Sequence, residues 1–581
     1  MPKFSQLLSK TITYISENAF LFYSILVLII SFFTYFFGYQ NPQAPFWDEN
    51  FHIAASQKYI DNVFFVELHP PLGKLLIAAG ESMWKPNDPN SEVLIQQFKN
   101  EIVVETNIPY TGSDEQQKLL KEKQDKFADT VANFNSSDYI KEFPKNYSFI
   151  GVRFFPALLA FLAGYLFFVL LFIFSKNPHL AFIFSSLYLF NNPLITHYRG
   201  AMLDGIQMFF ILASLVYFAY LFVDRKAVKF WEYLILGLLV GLAVSTKINS
   251  LILILTFPFL YLVDNFEKIK EISSQYKKII PDLIKTGSSF VFGIALIFGL
   301  VQSIHLNLAK SILPEKGAYN GYNINEGYRK IVDQNSFDNP LSVFSSSYGW
   351  WEYQSNYNKG VPKLDETKPD ENGSYPTDWI AGRKSISYRW ERFPMEKIHH
   401  NSYKLDAEPG PTTLEQVAKL EGEEKDKWVI VVKYLYLVIN PAIWLISILG
   451  LVIGIALLLS WMIFGLKIKN YKLLSLIGFF VIMYSAYMLS VLTVERVLYL
   501  YHYFVALLFA IITGYLVFMY RFEDILTHPK KSRYLYTALV VVYILVFATF
   551  VFYLPFSYYL PLTTEEFQMR NWFSFWGMKS V

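Results

Sequence analysis

Asp48 and Glu49, within the run Phe46-Trp47-Asp48-Glu49, stand just past the first apolar stretch long enough to cross a bilayer, and Leu68-His69-Pro70-Pro71-Leu72-Gly73-Lys74 follows soon after. Adjacent carboxylates where a chain leaves the membrane are costly unless they do chemistry at the lipid boundary. Sugar transfer from a lipid phosphate to an alcohol is a chemistry they suit. The leaving group departs as a stable phosphate anion and needs no general acid, whereas the incoming hydroxyl needs a base. Cations must then neutralise the departing phosphate. Asp48 suits the base and Glu49 a positioning partner.

The candidate cations are Arg153 at the start of the second expected span, Lys247 at a junction between spans, and Arg496 with His502 in the turn before the tenth. Glu67 precedes Leu68-His69, and Asp204 follows Arg199 at a similar depth. Plainer readings stand beside these. Asp48 and Glu49 could be a solvated loop pair, and Arg153 and Arg496 could reach lipid headgroups along their aliphatic stems. His69-Pro70-Pro71 also reads as a rigid turn before the amphipathic stretch 72–79, and His305 reads as a satisfied packing histidine. The carboxylates could hold a hard divalent cation, but no spacing among them matches a dedicated site, so no metal and no cofactor are expected. No Gly-rich phosphate loop with Lys-Ser/Thr occurs, which favours a lipid-linked donor over a nucleotide sugar. With no cysteine, disulfide scaffolds and thiolate nucleophiles are excluded.

The elements that must position these groups are membrane helices. Of 581 residues, 53% are hydrophobic and 18% aromatic, in blocks too long and too uniformly apolar for soluble helices or barrel strands. The chain reads as an all-α polytopic membrane protein with about eleven transmembrane helices. They are expected near 20–38, 149–174, 179–195, 205–223, 231–246, 248–263, 287–308, 438–464, 473–492, 503–520 and 534–555. Lys3 and Lys10 give the amino terminus a superficial likeness to a signal peptide, but the apolar run is too long and no cleavage pattern follows, so it is expected to stay as the first anchor. With that terminus inside, the short cytoplasmic loops hold Lys176, Arg225, Lys226, Lys229, Lys268, Lys270, Lys467, Lys469, Arg521 and Lys530, which satisfies the positive-inside rule. Two large segments, 40–148 and 309–430, then lie outside with the 556–581 tail. The first carries a charged insert near 96–127, expected as an exposed helix. The second, with Tyr348-Gly349-Trp350-Trp351, is expected to be an irregular aromatic lid rather than a β-trefoil.

Taken in order, these motifs resemble the protein O-mannosyltransferase family, membrane glycosyltransferases of the GT-C class. Residues 46–74 are similar to that family's acidic loop and its carboxylate-x-His-Pro-Pro-Leu-Gly/Ala-Lys signature, with Glu67 where an aspartate is usual. Gly151-Val152-Arg153-Phe154-Phe155-Pro156, Leu203-Asp204-Gly205 and Val244-Ser245-Thr246-Lys247 resemble further family segments. Asn440-Pro441 with Trp444, and Arg496 leading into Tyr501-His502-Tyr503, resemble the carboxyl-terminal four-helix module of prokaryotic members. The resemblance implies a catalytic module over 1–308, an extracytoplasmic loop over 309–430 and a four-helix module over 431–581.

It also implies metal-free, inverting transfer of mannose from a polyprenyl or dolichyl phosphate to Ser or Thr hydroxyls of translocated polypeptides. Asp48 would be the base, Glu49 and Glu67 orienting groups, and Arg153 a structural or phosphate-side cation; His69, Asp204, Lys247, Arg496 and His502 complete the substrate-contacting set. The expected setting is a bacterial inner membrane with the site outside, or the ER lumenal side in a eukaryote. The expected partners are the lipid donor, the polypeptide acceptor, the bilayer and either a dimer mate or the translocon, with no nucleic acid. A lipid-directed GT-C enzyme of the aminoarabinose-to-lipid-A type is the nearer alternative. A non-enzymatic lipid carrier or transporter is the more distant one, since no inverted repeat is visible and the charges cluster at one membrane face rather than mid-helix.

Overall fold

The computed structural model describes residues 18–580 except 226, 369–370, 399–401, 405–413, 420, 423–426 and 466, so Lys3, Lys10 and Lys226 lie outside the described residues. Helix is the only way for uniformly apolar segments to satisfy their own backbone in lipid. Among the described residues eight helices are long and apolar enough to cross a membrane, and three shorter apolar helices, Pro178–Leu189, Phe230–Val244 and Ile248–Asp264, fall where the other expected spans lie. At about 1.5 Å per residue the 15 residues of Phe230–Val244 rise roughly 22 Å, short of a ~30 Å hydrocarbon core.

The chain forms two compact units, Met1–Phe182 with Tyr198–Val361, and Ile183–His197 with Pro362–Val581. In the first, α1 (Ala19–Ser31) leads into a turn and then α2 (Glu49–Ile60) and α3 (Leu72–Trp84). Next come α4 (Glu92–Thr106) and α5 (Asp114–Ala132), the spanning α6 (Ile150–Ser175) and α7 (Leu203–Asp224), then α8 (Phe230–Val244), α9 (Ile272–Leu308) and α10 (Ser342–Gly360). Close helix crossings set the packing. A Cβ on Gly80 of α3 would sit 2.3 Å from the Gly151 carbonyl oxygen of α6, and one on Gly237 of α8 would sit 2.1 Å from that of Phe290 in α9, so only glycine permits either approach.

The 96–127 insert differs from its expected form. It is a pair of helices, α4 and α5, whose Leu94, Phe98, Ile102 and Phe127 are buried, and three of these share one core with Ile53, Ile77 and Phe149. Lys and Glu dominate its outer face and masked that apolar stripe in the sequence.

The 309–430 segment is likewise structured and is divided between the units. Its first part supplies the helices Glu326–Asp333 and α10 to the first unit. Its second part supplies strands to a four-stranded antiparallel sheet in the second unit, ordered β2 (Ser402–Lys404), β1 (Ile386–Ile398), β3 (Trp428–Leu437), β4 (Pro561–Leu562). β1 and β3 pair from Ile386 opposite Leu437 to Met395 opposite Val429. The run Val429-Ile430-Val431-Val432, β-branched throughout, explains the strand, and Pro441 at the start of the next helix fixes where it ends. That second unit also holds α11 (Pro441–Phe464), α12 (Tyr471–Leu492), α13 (Phe504–Leu526) and α14 (Pro529–Tyr558).

Candidate functional site

The segment leaving the first span is held by two buried guanidinium groups. Arg153 donates all five of its N–H bonds: Nε to Glu49 Oε1 at 2.6 Å, Nη2 to Glu49 Oε2 at 2.7 Å and to Ala44 O at 2.8 Å, and Nη1 to Gln40 O at 2.8 Å and Pro42 O at 2.6 Å. Arg199 donates to the carbonyl oxygens of Thr34, Phe37 and Gly38 at 3.3, 2.9 and 2.7 Å. Between them they fix six carbonyls in the twelve residues before Phe46. Glu49 completes the lock. Its Oε2 accepts from Phe46 N at 3.0 Å and its Oε1 from Ala201 N at 2.7 Å, while Phe46 and Phe149 flank the guanidinium of Arg153.

Neither Glu49 nor Arg153 exposes any surface, which suits Glu49 as a positioning partner and Arg153 in the structural one of its two expected roles. Glu49 is not placed to touch a substrate, and Arg153 has no donor left for a phosphate. Consecutive residues at a helix start point about 100° apart, so Asp48 does not share the direction in which Glu49 enters this lock. Asp48 is half-buried at the cap of α2, where its carbonyl accepts from Phe51 N at 3.1 Å and His52 N at 3.2 Å. Trp47 before it has φ +51°, a left-handed conformation rare for a bulky side chain and a mark of strain maintained by surrounding contacts.

Four elements meet around this point. Leu72 N at the head of α3 donates to Ser245 O beyond α8 at 3.0 Å, and a Cβ on Gly73 would meet Leu203 of α7 at 2.6 Å. Glu67 and Lys74 form a short ion pair across the His-Pro-Pro turn, both largely buried. Lys247 Nζ pairs with both Asp204 oxygens, at 2.9 and 3.0 Å, so its charge is already shared within the protein. His69, half-buried, stands 6.5 Å from His52 between ring centroids. The buried His52, one turn beyond Asp48, ties these together. Burial first, then the charges of Lys74, His69 and Lys247, hold its imidazole well below the usual histidine range, with Asp204 opposing. Its Nδ1 has no hydrogen-bond partner among the described residues.

His52 and Lys74 were absent from the candidates. The i, i+4 spacing from Asp48 to His52 was the available signal, hidden because Asp48 read as loop rather than as the cap of a helix. Gln207, one turn past Asp204, donates to Asn249 Oδ1 at 2.6 Å and Ser250 Oγ at 2.7 Å and was also missed. His305 is a packing residue: Tyr59 and Tyr328 hydroxyls lie 2.9 and 3.3 Å from its ring nitrogens.

Arg496 and His502 belong to the second unit. Arg496 is half-buried and makes no hydrogen bond or ion pair with a described residue. The His502 ring stacks on Tyr501 at 4.5 Å and on Trp379 at 6.1 Å, and its Nδ1 lies 3.0 Å from Tyr499 O. Asn440 caps α11 through Ile443 N and also donates to Asn192 Oδ1 at 3.1 Å, and Trp444 Nε1 donates to Trp379 O at 3.0 Å, so this motif braces the unit. Among the described residues no cluster of three His, Asp or Glu side chains is arranged to hold a metal ion.

The family model for dolichyl-phosphate-mannose-protein mannosyltransferase matches residues 25–103 and 126–310, and that for the C-terminal four TMM region of protein-O-mannosyltransferase matches 347–576. The chain is 26% identical over 273 residues to dolichyl-phosphate-mannose–protein mannosyltransferase 1 of Candida albicans, covering 47% of this chain and 25% of that protein. It is 25% identical over 234 residues to protein O-mannosyl-transferase 2 of Danio rerio, covering 40% of this chain and 25% of that protein. The chain thus spans about a quarter of the length of these curated relatives. Its fold is that of a chain in the S. cerevisiae protein O-mannosyltransferase Pmt1-Pmt2 complex bound to the sugar donor, with a TM-score of 0.61 at 13% identity over 96% of this chain and 92% of that one. With both family models matched in sequence order along most of its length, this multi-pass membrane chain belongs to the protein O-mannosyltransferase family.

Proposed function

We propose that this protein transfers mannose from a polyprenyl or dolichyl phosphate to Ser or Thr hydroxyls of polypeptides, with Asp48 as the general base. The observation that carries the reading is the split of the acidic pair. Glu49 is locked inward by Arg153, and that lock fixes the turn that carries the half-buried Asp48, one helical turn before His52. The acceptor oxygen attacks the anomeric carbon as the carbon–phosphate oxygen bond breaks, the bonding pair leaves on the phosphate, and the hydroxyl proton passes to the Asp48 carboxylate. One displacement inverts the anomeric centre, and no metal enters the step.

In the first unit Lys247 and His69 are assigned to the substrates, and Glu67 with Asp204 to orienting the lysines they pair with. Glu49 and Arg153 are positioning residues, acting through the turn that holds Asp48. The distribution of Lys and Arg supports an extracytoplasmic site, here assigned to the outer side of a bacterial inner membrane. The solved Pmt1-Pmt2 complex supports assembly with a second chain of this kind.

The test is Asp48→Asn. Loss of a general base is worth about 10²–10⁴ in rate, so turnover of purified polyprenyl-phosphate mannose with a Ser/Thr peptide should fall by that factor while donor binding and thermal unfolding stay as in the parent protein. Full activity in this variant would reject the assignment, and loss of activity on adding a chelator would reject the metal-free step.

A further inference from the structure

At the far end of α2 from Asp48 lies a pocket of about 170 Å³, room for one side chain, whose lining includes Lys58, Ser137, Asp138, Lys316, Asn320 and Tyr322. Lys58 is 4% exposed, yet its ammonium reaches this pocket. It forms a short ion pair with Asp138 and donates to the Tyr322 hydroxyl at 2.9 Å, and Tyr322 in turn donates to Asp138. An ammonium has three N–H donors, and Lys58 has two hydrogen-bond acceptors among the described residues. The third donor has no nitrogen or oxygen acceptor among the described residues, and the ammonium also lies 5.4 Å from the centre of the Phe65 ring. Asp138, its counterion, is 64% exposed at the side chain and so stands at the rim, where water screens it. Lys316 on the same wall is exposed, and its side chain makes no hydrogen bond or ion pair among the described residues. Two cations against one screened carboxylate leave the pocket net positive, and its polar lining excludes a lipid tail.

We propose that this pocket is a subsite for an acidic side chain of the acceptor polypeptide, seated so that its carboxylate takes the free Lys58 donor and faces Lys316. This rests on the polypeptide-acceptor reading above. The ten residues from Asp48 to Lys58 span about 15 Å along the helix. An extended peptide advances ~3.3 Å per residue, which sets the acidic residue four or five positions from the modified hydroxyl. The segments 133–138 and 313–322, joined to α2 by the Lys58–Asp138–Tyr322 triad, thus act as a peptide gauge beside the reaction centre.

The test uses the full-length protein in detergent and single-serine peptides carrying Asp or Asn at each offset from one to seven. Peptide binding is read by fluorescence anisotropy without donor, and mannosyl transfer is read separately. The Asp peptide should bind about tenfold tighter than its Asn counterpart at an offset of four or five only, as expected for one charge-assisted hydrogen bond. Lys316→Glu, at an exposed site that leaves the fold intact, should abolish or invert that preference, and Lys58→Met should abolish it. Equal binding of Asp and Asn peptides at every offset overturns the subsite, whether or not transfer occurs. An Asp preference unchanged in Lys316→Glu and Lys58→Met overturns it as well. An Asp preference lost in these variants, without any transfer, upholds the subsite and rejects the mannosyl-transfer reading instead. Inorganic phosphate competing as well as the Asp peptide, with no offset dependence, would show a general anion site and overturn the peptide assignment.

Discussion

Replacing Arg153 by methionine keeps most of the side-chain volume and removes the five bonds that Arg153 donates to the lock. It leaves the Glu49 carboxylate with no exposed surface and no charge partner, a change that costs about 3–5 kcal/mol where buried pairs are broken. The carbonyls of Gln40, Pro42 and Ala44 lose their donor as well, which adds to that cost and makes the upper end of the range the better expectation. Glu49→Gln is milder, because its amide oxygen still accepts from Arg153. The pair together, Arg153→Met with Glu49→Gln, removes the stranded charge and should be about 2 kcal/mol or more stabler than the sum of the single changes, since buried groups in one network are not additive. Equilibrium unfolding of all four proteins, by SDS titration in mixed micelles, closes the cycle. Turnover measured where each is folded should fall in Arg153→Met without a matching loss of donor binding, because the lock positions Asp48. A zero coupling energy, or a single Arg153→Met variant as stable as its parent, would refute the reasoning.

Burial of Glu81 pushes its carboxyl up to about 7 from 4.5, against the opposing hydrogen bonds from Asn87. A raised carboxyl binds its proton more tightly in the folded state, so its stabilising contribution is full below pH 4.5 and fades as the pH rises through about 7. That shift corresponds to about 3 kcal/mol, and Glu81→Gln should remove this slope from a stability–pH series over that window. Gly80→Ala should destabilise by roughly 1–3 kcal/mol, since its Cβ would press on the Gly151 carbonyl and backbone cannot swing aside; an unchanged unfolding midpoint would contradict that packing. Lys247→Ala should weaken binding of polyprenyl phosphate, read by protection or tryptophan quenching in detergent, and unchanged affinity would confine Lys247 to its pairing with Asp204.

The membrane helices were legible because their signal is composition over about 20 residues, which no tertiary contact overrides. The helix pair over 92–132 and the sheet of the second unit were not. In the first, Leu94, Phe98 and Phe127 form a narrow stripe within a run of charges, and in the second β-branched residues abut a span and were absorbed into loop or helix. At the candidate site the sequence pointed to Asp48 and the charges near it, because aligned motifs name residue types. It did not reveal which partners those charges take. Lys247 pairs with Asp204 across 43 positions, and Arg153 with Glu49 across 104. Such distant pairings depend on how α2, α6, α7 and the end of α8 meet and leave no local pattern.

The separation of duties within the acidic pair follows from this geometry. A base at a membrane boundary must be held firmly, and because each hydrogen bond to a carboxylate lowers its basicity, fixing the turn through the neighbouring acid serves the base. Here the fixing bonds go to Glu49, whose two oxygens take four N–H donors from Arg153, Phe46 and Ala201. Asp48 is then held through the backbone, by its place at the head of α2 and by the strained Trp47 before it. On this account Asp48→Glu, which keeps the charge but lengthens the arm by about 1.5 Å, should lose much of the activity even though the acid remains, because the lock fixes the backbone for a short reach.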